Sequence, residues 1–122
     1  EFAAGDYDAA VAAYENALQH VPDAPQIQTA LALVLTERAA PGDNERAREL
    51  CLRANLASPG ALTYWALARG YGSDARANWA LAEYYSFMGN DKKARSYAKK
   101  AQKSLPHDTP EFIKSGDILQ KK

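Results

Sequence analysis

The stretch Gly5-Asp6-Tyr7-Asp8-Ala9-Ala10, followed by Tyr14, Ala17 and Pro22, decides the fold of this chain, because its spacing recurs twice further on. In each copy a glycine followed by Asp or Asn opens a helix, small residues recur along the helix, and a proline ends it. The three copies are Gly5, Ala10, Tyr14, Ala17 and Pro22; Gly42, Ala47, Cys51, Ala54 and Pro59; and Gly89, Ala94, Ala98, Ala101 and Pro106. Repetition of this kind predicts an all-α solenoid of stacked helical hairpins.

The intervals between the copies differ. The first two glycines lie 37 residues apart and the next two lie 47 apart, which fits one hairpin with a short insertion and then one hairpin with an extra helix. About seven helices are therefore predicted, at positions 6–20, 24–38, 43–57, 61–71, 74–88, 91–104 and 110–120. We divide the single domain 1–122 into a half repeat (1–22), a repeat (24–59), a repeat with an extra helix (61–106) and a C-terminal helix (109–122).

The composition is that of an ordinary globular domain, with 47% hydrophobic and 25% charged residues. Fifteen basic residues balance fifteen acidic ones, so the net charge favours neither nucleic acid nor a membrane surface as a partner. No apolar stretch approaches the roughly twenty residues that span a bilayer. The local basic bias, which we interpret as a solvated helix face, consists of Lys92, Lys93, Arg95, Lys99, Lys100 and Lys103, with Lys114, Lys121 and Lys122 further on.

The start of the chain predicts a fragment of a longer protein. It begins with Glu1-Phe2-Ala3-Ala4, without an initiator Met, directly before a Gly-Asp pair of the kind that joins the two helices of a repeat. The first helix of the first repeat is then expected upstream, together with targeting signals and any catalytic domain. Without that helix, we expect Val11, Tyr14 and Leu18 to be uncovered, and a second copy could cover them in a homodimer.

The search for chemistry yields no catalytic constellation. His20 and His107 each lack a nearby cluster of Cys, His or carboxylate residues at ligand spacing, and the motif His-x-x-x-His does not occur. Cys51 is the only cysteine and occupies a packing position, which predicts a buried structural thiol. We therefore predict no catalytic residue, no metal site and no cofactor in this chain.

The repeated signature resembles the second helix of a tetratricopeptide repeat. Leu31, Ala32 and Leu35 fall where the first helix of the next repeat carries its packing residues, and Leu81, Ala82 and Tyr85 precede Gly89-Asn90 at the family spacing. The chain departs from the family pattern where residues 39–41 are inserted before Gly42, and where Cys51 and Ala98 replace the usual aromatic residue. The resemblance implies a protein-binding module.

A second resemblance covers residues 62–105. The segment 64–72 (Tyr-Trp-Ala-Leu-Ala-Arg-Gly-Tyr-Gly), followed by 77–85 (Ala-Asn-Trp-Ala-Leu-Ala-Glu-Tyr-Tyr) and Gly89-Asn90, is similar to the C-terminal repeat region of bacterial periplasmic zinc metalloproteases of peptidase family M forty-eight. The His-Glu-x-x-His helix of that family does not occur in this chain, so no catalytic residue is carried over. The resemblance implies a periplasmic repeat region that engages protein substrates or envelope partners, whereas a cytoplasmic repeat protein stays an alternative.

Binding is the function that these patterns predict. In stacked hairpins, the first helix of each repeat lines a concave surface that holds a peptide or a partner helix. Trp79 is the first candidate anchor if it is partly exposed, and its alternative is a core position against Tyr64 or Trp65. The groove-facing candidates by repeat position are Gln26, Thr29, Leu33 and Thr36 on one helix, and Arg76, Trp79, Glu83 and Phe87 on another.

Three classes of function remain open at this point. The first is a protein-interaction module, the second is the substrate-handling part of a protease whose catalytic domain lies upstream, and the third is a scaffold or oligomerisation domain.

Overall fold

Seven helices and no strand are found in residues 4–121, which are the residues that the computed structural model describes. Glu1, Phe2, Ala3 and Lys122 lie outside the described residues. The helices are α1 (Ala4–His20), α2 (Pro25–Arg38), α3 (Asp43–Ala57), α4 (Ala61–Tyr71), α5 (Arg76–Phe87), α6 (Asp91–Ser104) and α7 (Pro110–Gln120). The predicted all-α, tetratricopeptide-like solenoid is confirmed.

Local chemistry explains where the helices begin. A proline, which needs no N–H partner, occupies the first turn of α2 and of α7. The Thr109 hydroxyl caps α7 by accepting a hydrogen bond from the Phe112 N–H at 3.3 Å. Helix α5 begins two residues later than predicted, because the Asp74 carboxylate accepts hydrogen bonds from the backbone N–H of Arg76 at 2.8 Å and from its guanidinium.

A buried carboxylate holds the turn between α2 and α3. Asp43 accepts two hydrogen bonds of 2.8 Å from the Arg38 guanidinium and one of 2.9 Å from the Ala40 N–H. The guanidinium keeps the pKa of Asp43 below its usual range. The backbone turns through Ala39 and Gly42, both with positive φ. The inserted residues 39–41 therefore form a fixed connection.

The turn between α5 and α6 is simpler. Gly89 supplies a positive φ of 77°. The Asn90 side chain caps α6 by accepting a hydrogen bond from the Lys93 N–H at 3.1 Å. Asn90 is exposed, so this turn depends on one solvent-accessible cap.

The helices stack in chain order, each on the next. In addition, α4 packs on α2, and α7 packs on α5. Within residues 4–121, the α4–α5 contact is the only helix packing that joins an α1–α4 block to an α5–α7 block. The extra helix expected from the longer interval is thus α4, and it lies where the two blocks meet.

The core is built from small residues between helices and from leucines. Leu31, Leu35 and Leu67 are almost wholly buried. The alanines of the second and third signature copies are also buried, and enlarging any of them would push two helices apart. These alanines are Ala47, Ala54, Ala94, Ala98 and Ala101.

The expectation of an uncovered apolar face on α1 is wrong. Leu18 is only 8% exposed and belongs to the main core, and Val11 and Tyr14 pack partly buried against the same core. Helix α1 lies against α2, so its apolar side chains are covered within one chain. An uncovered apolar face was the reason to expect a homodimer, and that reason does not hold. The homodimer itself stays an untested prediction.

Candidate functional site

A groove of about 660 Å³ runs between α3 and α7. We call it the α3–α7 groove. Helix α3 forms one side, Lys114 of α7 lies on the other, and aromatic residues of α4 and α5 form the floor. The lining residues are Arg46, Glu49, Leu52, Arg53, Asn55, Leu56, Pro59, Tyr64, Trp79 and Lys114.

The floor of the groove is a cluster of aromatic rings. Tyr64 of α4 and Trp79 of α5 meet edge to face, with ring centroids 5.7 Å apart. Phe87 packs on the same tyrosine at 5.6 Å, and Lys114 places its Nζ 5.5 Å from the Trp79 ring centroid. Edge-to-face rings and a cation over an indole are favourable geometries. The floor is therefore formed at the α4–α5 contact and joined to α7.

Two leucines of α3 stand open beside this floor. Leu52 is 45% exposed and Leu56 is 88% exposed. They are four residues apart, so they lie on neighbouring turns of one helix face. Asn55 lies next to them, and its Oδ1 is buried without a hydrogen-bond partner. Exposed apolar surface beside an unpaired acceptor is unfavourable in isolation and is typical of a binding surface.

The charges around the groove are mostly positive. Arg46 already pairs with Glu15 of α1 at 3.0 Å. Arg53 on α3 and Lys114 on α7 form no ion pair within the part of the chain that the structure describes, and Glu49 is the one carboxylate among the described lining residues. The groove therefore presents two cations that form no ion pair with any described residue, on opposite sides of an apolar floor. Of these, Lys114 also lies over the Trp79 ring, and its charge acts on the nearby Glu83.

A half-buried carboxylate lies beneath the floor. Glu83 accepts a hydrogen bond from the Trp79 indole N–H at 3.3 Å. Burial raises the pKa of Glu83, while that hydrogen bond and the nearby Lys114 act in the opposite direction. Burial, and secondarily the charge of Glu83, also raises the pKa of Tyr64. This polar contact fixes the orientation of the indole.

The residues predicted on α2 lie away from this groove. Gln26 and Thr29 line a smaller cleft of about 350 Å³ between the first turns of α2 and α4. Thr29 is buried, since its hydroxyl is hydrogen-bonded to that of Thr63 at 3.0 Å. Leu33 packs partly buried against the core, and Thr36 accepts a hydrogen bond from the Arg69 guanidinium at 3.2 Å. Helix α4 thus covers much of the face that we expected to be open.

The residues predicted on α5 separate into two groups. Trp79, Glu83 and Phe87 lie in or beside the floor of the α3–α7 groove. Arg76 points elsewhere, because it pairs with Asp74 at 2.8 Å and lies over the Tyr71 ring. Of the two alternatives for Trp79, the structure shows the core position against Tyr64, because Trp79 is 3% exposed and Tyr64, Glu83 and Lys114 surround it. Helices α2 and α5 do not pack on each other, so the eight predicted residues do not form one surface.

Sequence reasoning missed the residues of α3 and α7 that line the groove. Leu52 and Leu56 carried a usable signal, because they are leucines of a repeat helix outside its signature positions. Nothing in the sequence indicated that Arg53 and Lys114 would line the same groove. Arg53 and Lys114 lie at the same groove only because of the way in which α4 packs between α3 and α5.

The described residues offer no group of three or more His, Cys, Asp and Glu side chains that could hold a metal ion. Cys51 is wholly buried, and burial raises the pKa of its thiol to about 12. Helices long and apolar enough to cross a membrane are likewise not found in residues 4–121.

Five of the basic residues in the local basic bias of the sequence line one exposed face of α6: Lys92, Arg95, Lys99, Lys100 and Lys103. The face has a shallow groove of about 420 Å³ whose lining includes no carboxylate among the described residues. Two lysines of α6 lie over aromatic rings, Lys93 over Tyr85 and Lys100, which also lines this groove, over Tyr97. The face exposes no large apolar side chain, unlike the α3–α7 groove.

Comparison with known proteins gives one match. A family model described as a TPR repeat matches residues 1–37, which include the first signature copy and most of α2. No curated protein and no solved structure matches the chain. The matched residues end before the segment 62–105 that resembles the metalloprotease repeat region. TPR repeats generally mediate protein–protein interaction. The matched repeat and the seven stacked helices make this chain a TPR-like helical solenoid.

Proposed function

We propose that this chain is a non-catalytic protein-interaction module whose α3–α7 groove binds a segment of another protein. The observation that carries the proposal is the exposure of Leu52 and Leu56 beside an aromatic floor. Burying a fully exposed leucine contributes about 1.5 to 3 kcal/mol, so Leu56, at 88% exposed, contributes more than Leu52, at 45%.

The test is a selection of random 16-residue peptides on the full chain, followed by affinity measurements on variants. Leu56→Glu places a charge on the groove without touching the core, and we expect it to weaken binding of the selected peptides by about tenfold or more. Leu62→Glu is the matched control, because Leu62 is 57% exposed and lies outside the groove. Circular dichroism checks that both variants keep wild-type helicity. Peptides that bind Leu56→Glu as tightly as wild type would overturn the proposal.

A finer proposal is that the module serves a periplasmic zinc metalloprotease or chaperone in envelope protein quality control. Its support is the residue order at 64–90, which includes the floor residues Tyr64 and Trp79. The parent gene decides it: a His-Glu-x-x-His motif and an export signal upstream are expected. A parent gene without either would instead favour a scaffold domain of an unrelated bacterial protein.

A further inference from the structure

The α3–α7 groove has features that select among partners. We propose that its occupant is an amphipathic α-helix that carries carboxylates on both sides of its apolar stripe. This inference rests on the proposed function, and it adds the conformation and the charge of the bound segment.

The conformation follows from the sides of the groove. They are helices, whose backbone groups are already paired internally, and residues 4–121 contain no strand edge to which an extended peptide could add. An extended peptide over the aromatic floor would leave its N–H and C=O groups without partners, at a cost for each buried group. A helix satisfies its own backbone. It therefore suits a groove with an apolar floor.

The spacing of the exposed leucines agrees with a helical partner. Leu52 and Leu56 form a ridge along α3 with one residue per turn. Side chains of a second helix at positions i and i+4 pack into the gaps of such a ridge. The partner's apolar stripe would lie on these leucines and on the Tyr64 and Trp79 rings below them.

The charge preference follows from the two unpaired cations. Arg53 lies on the α3 side and Lys114 on the α7 side, so a helix between them has a cation at each edge of its apolar stripe. Carboxylates at those edges would form ion pairs at the rim, partly shielded from water. Lysines there would be repelled. Because Arg46 is already paired with Glu15, it adds little to this preference.

The experiment uses three dye-labelled 16-residue peptides with one leucine stripe, flanked by Glu, Gln or Lys. Binding to the full chain is measured by fluorescence anisotropy at low and high salt. We expect the Glu peptide to bind about tenfold more tightly than the Gln peptide, and the Lys peptide to bind most weakly. The advantage of the Glu peptide should shrink at high salt. A proline in the middle of its stripe should remove binding.

Charge reversal on the protein tests the residues themselves. Arg53→Glu with Lys114→Glu should reverse the order of the Glu and Lys peptides. Lys99→Glu with Lys103→Glu, the same charge change on α6, should leave the order unchanged. If the first double variant loses helicity, Lys114→Gln replaces it and should reduce the Glu advantage.

The outcomes separate this inference from the proposed function. Equal binding of all three peptides, still removed by Leu56→Glu, would overturn the charge preference and leave the function standing. If the Glu peptide with a proline in its stripe still binds, and its binding still requires Leu56, only the helical conformation of the partner would be overturned. If the library-selected peptides bind in a Leu56-dependent way and none of the three designed peptides binds, the inference is wrong and the function stands. If Leu56→Glu changes no affinity at all, both fail.

Discussion

The hairpins α2/α3 and α5/α6 carry the same signature, yet the outer faces of their second helices have opposite chemistry. Helix α3 exposes Leu52 and Leu56 beside an aromatic floor. Helix α6 exposes a row of lysines and no large apolar residue. The packed faces remain alike, with buried alanines in both helices. The signature thus specifies how helices stack, and the positions between its residues specify what the surface can bind.

The two hairpins also differ in their turns. Asp43 is buried and accepts three hydrogen bonds, whereas Asn90 is exposed and accepts one. When a buried carboxylate is removed, the groups that donated hydrogen bonds to it are left without an acceptor. When an exposed capping side chain is removed, water can take its place. We therefore expect the first turn to contribute more to stability than the second.

The largest effect is expected for Asp43→Ala, which should lower the free energy of unfolding by about 3 kcal/mol. It removes both hydrogen bonds between Arg38 and Asp43, leaves Arg38 with only its ion pair to the exposed Asp8 at 3.1 Å, and leaves the Ala40 N–H unsatisfied. Urea unfolding followed by circular dichroism at neutral pH measures the loss. Because the folded-state pKa of Asp43 is lowered, its contribution is present above the ordinary carboxyl pKa and is lost as the pH falls through the folded value. The difference between wild type and variant should then narrow in acid.

Asn90→Ala is the companion variant in the second hairpin. Loss of an N-cap costs about 1 kcal/mol. Equal losses for Asn90→Ala and Asp43→Ala would contradict the difference between the two turns.

An effect between those of Asp43→Ala and Asn90→Ala is expected where the two hairpins are alike. Ala54→Leu and Ala101→Leu should each cost about 2 kcal/mol, because both alanines are wholly buried between helices. Thermal unfolding measures the two changes side by side. Ala57→Leu, at an exposed position of α3, should leave the midpoint nearly unchanged. Unchanged midpoints for both buried variants would show that the helices are not in close contact.

The smallest effect is expected for Glu83→Gln, beneath the groove floor. Since burial raises the folded-state pKa of Glu83, its stabilising contribution is present below the ordinary carboxyl pKa and is lost as the pH rises through the folded value. Gln can still accept the Trp79 indole hydrogen bond without a charge. The variant should be more stable than wild type by less than about 1 kcal/mol at about pH 8, and the gain should vanish near pH 4. Thermal midpoints across this range test the sign, and a variant less stable than wild type at about pH 8 would contradict it.

Much of the fold was predictable because local residues punctuate it. Gly42, Gly89 and Pro106 lie close to helix boundaries, where residue type alone restricts the backbone conformation. The start of α5 was misplaced by two residues, since the capping of Arg76 by Asp74 is a side-chain detail. Local chemistry therefore predicts the elements well.

The groove was predictable only in part. Trp79 was singled out from the sequence, but whether it is exposed or buried depends on Tyr64 of α4 and Lys114 of α7, which are distant in sequence. The α2 candidates assumed a regular stack. In the structure α4 packs on α2 and covers Thr29, so the concave face of an ideal repeat is not available there. A single inserted helix changes which surface of the solenoid is open, and the periodicity of the repeats does not predict which surface that is.

The position of the groove across the α4–α5 contact has a mechanical consequence. One side of the groove belongs to the α1–α4 block and the other to the α5–α7 block, and these blocks share only that helix contact within residues 4–121. In solenoids, stability propagates through neighbour contacts, so this contact limits how strongly the unfolding of one block is coupled to that of the other. A ligand that touches both sides adds a second link in parallel. The coupling between the unfolding of the two blocks would then rise with ligand concentration.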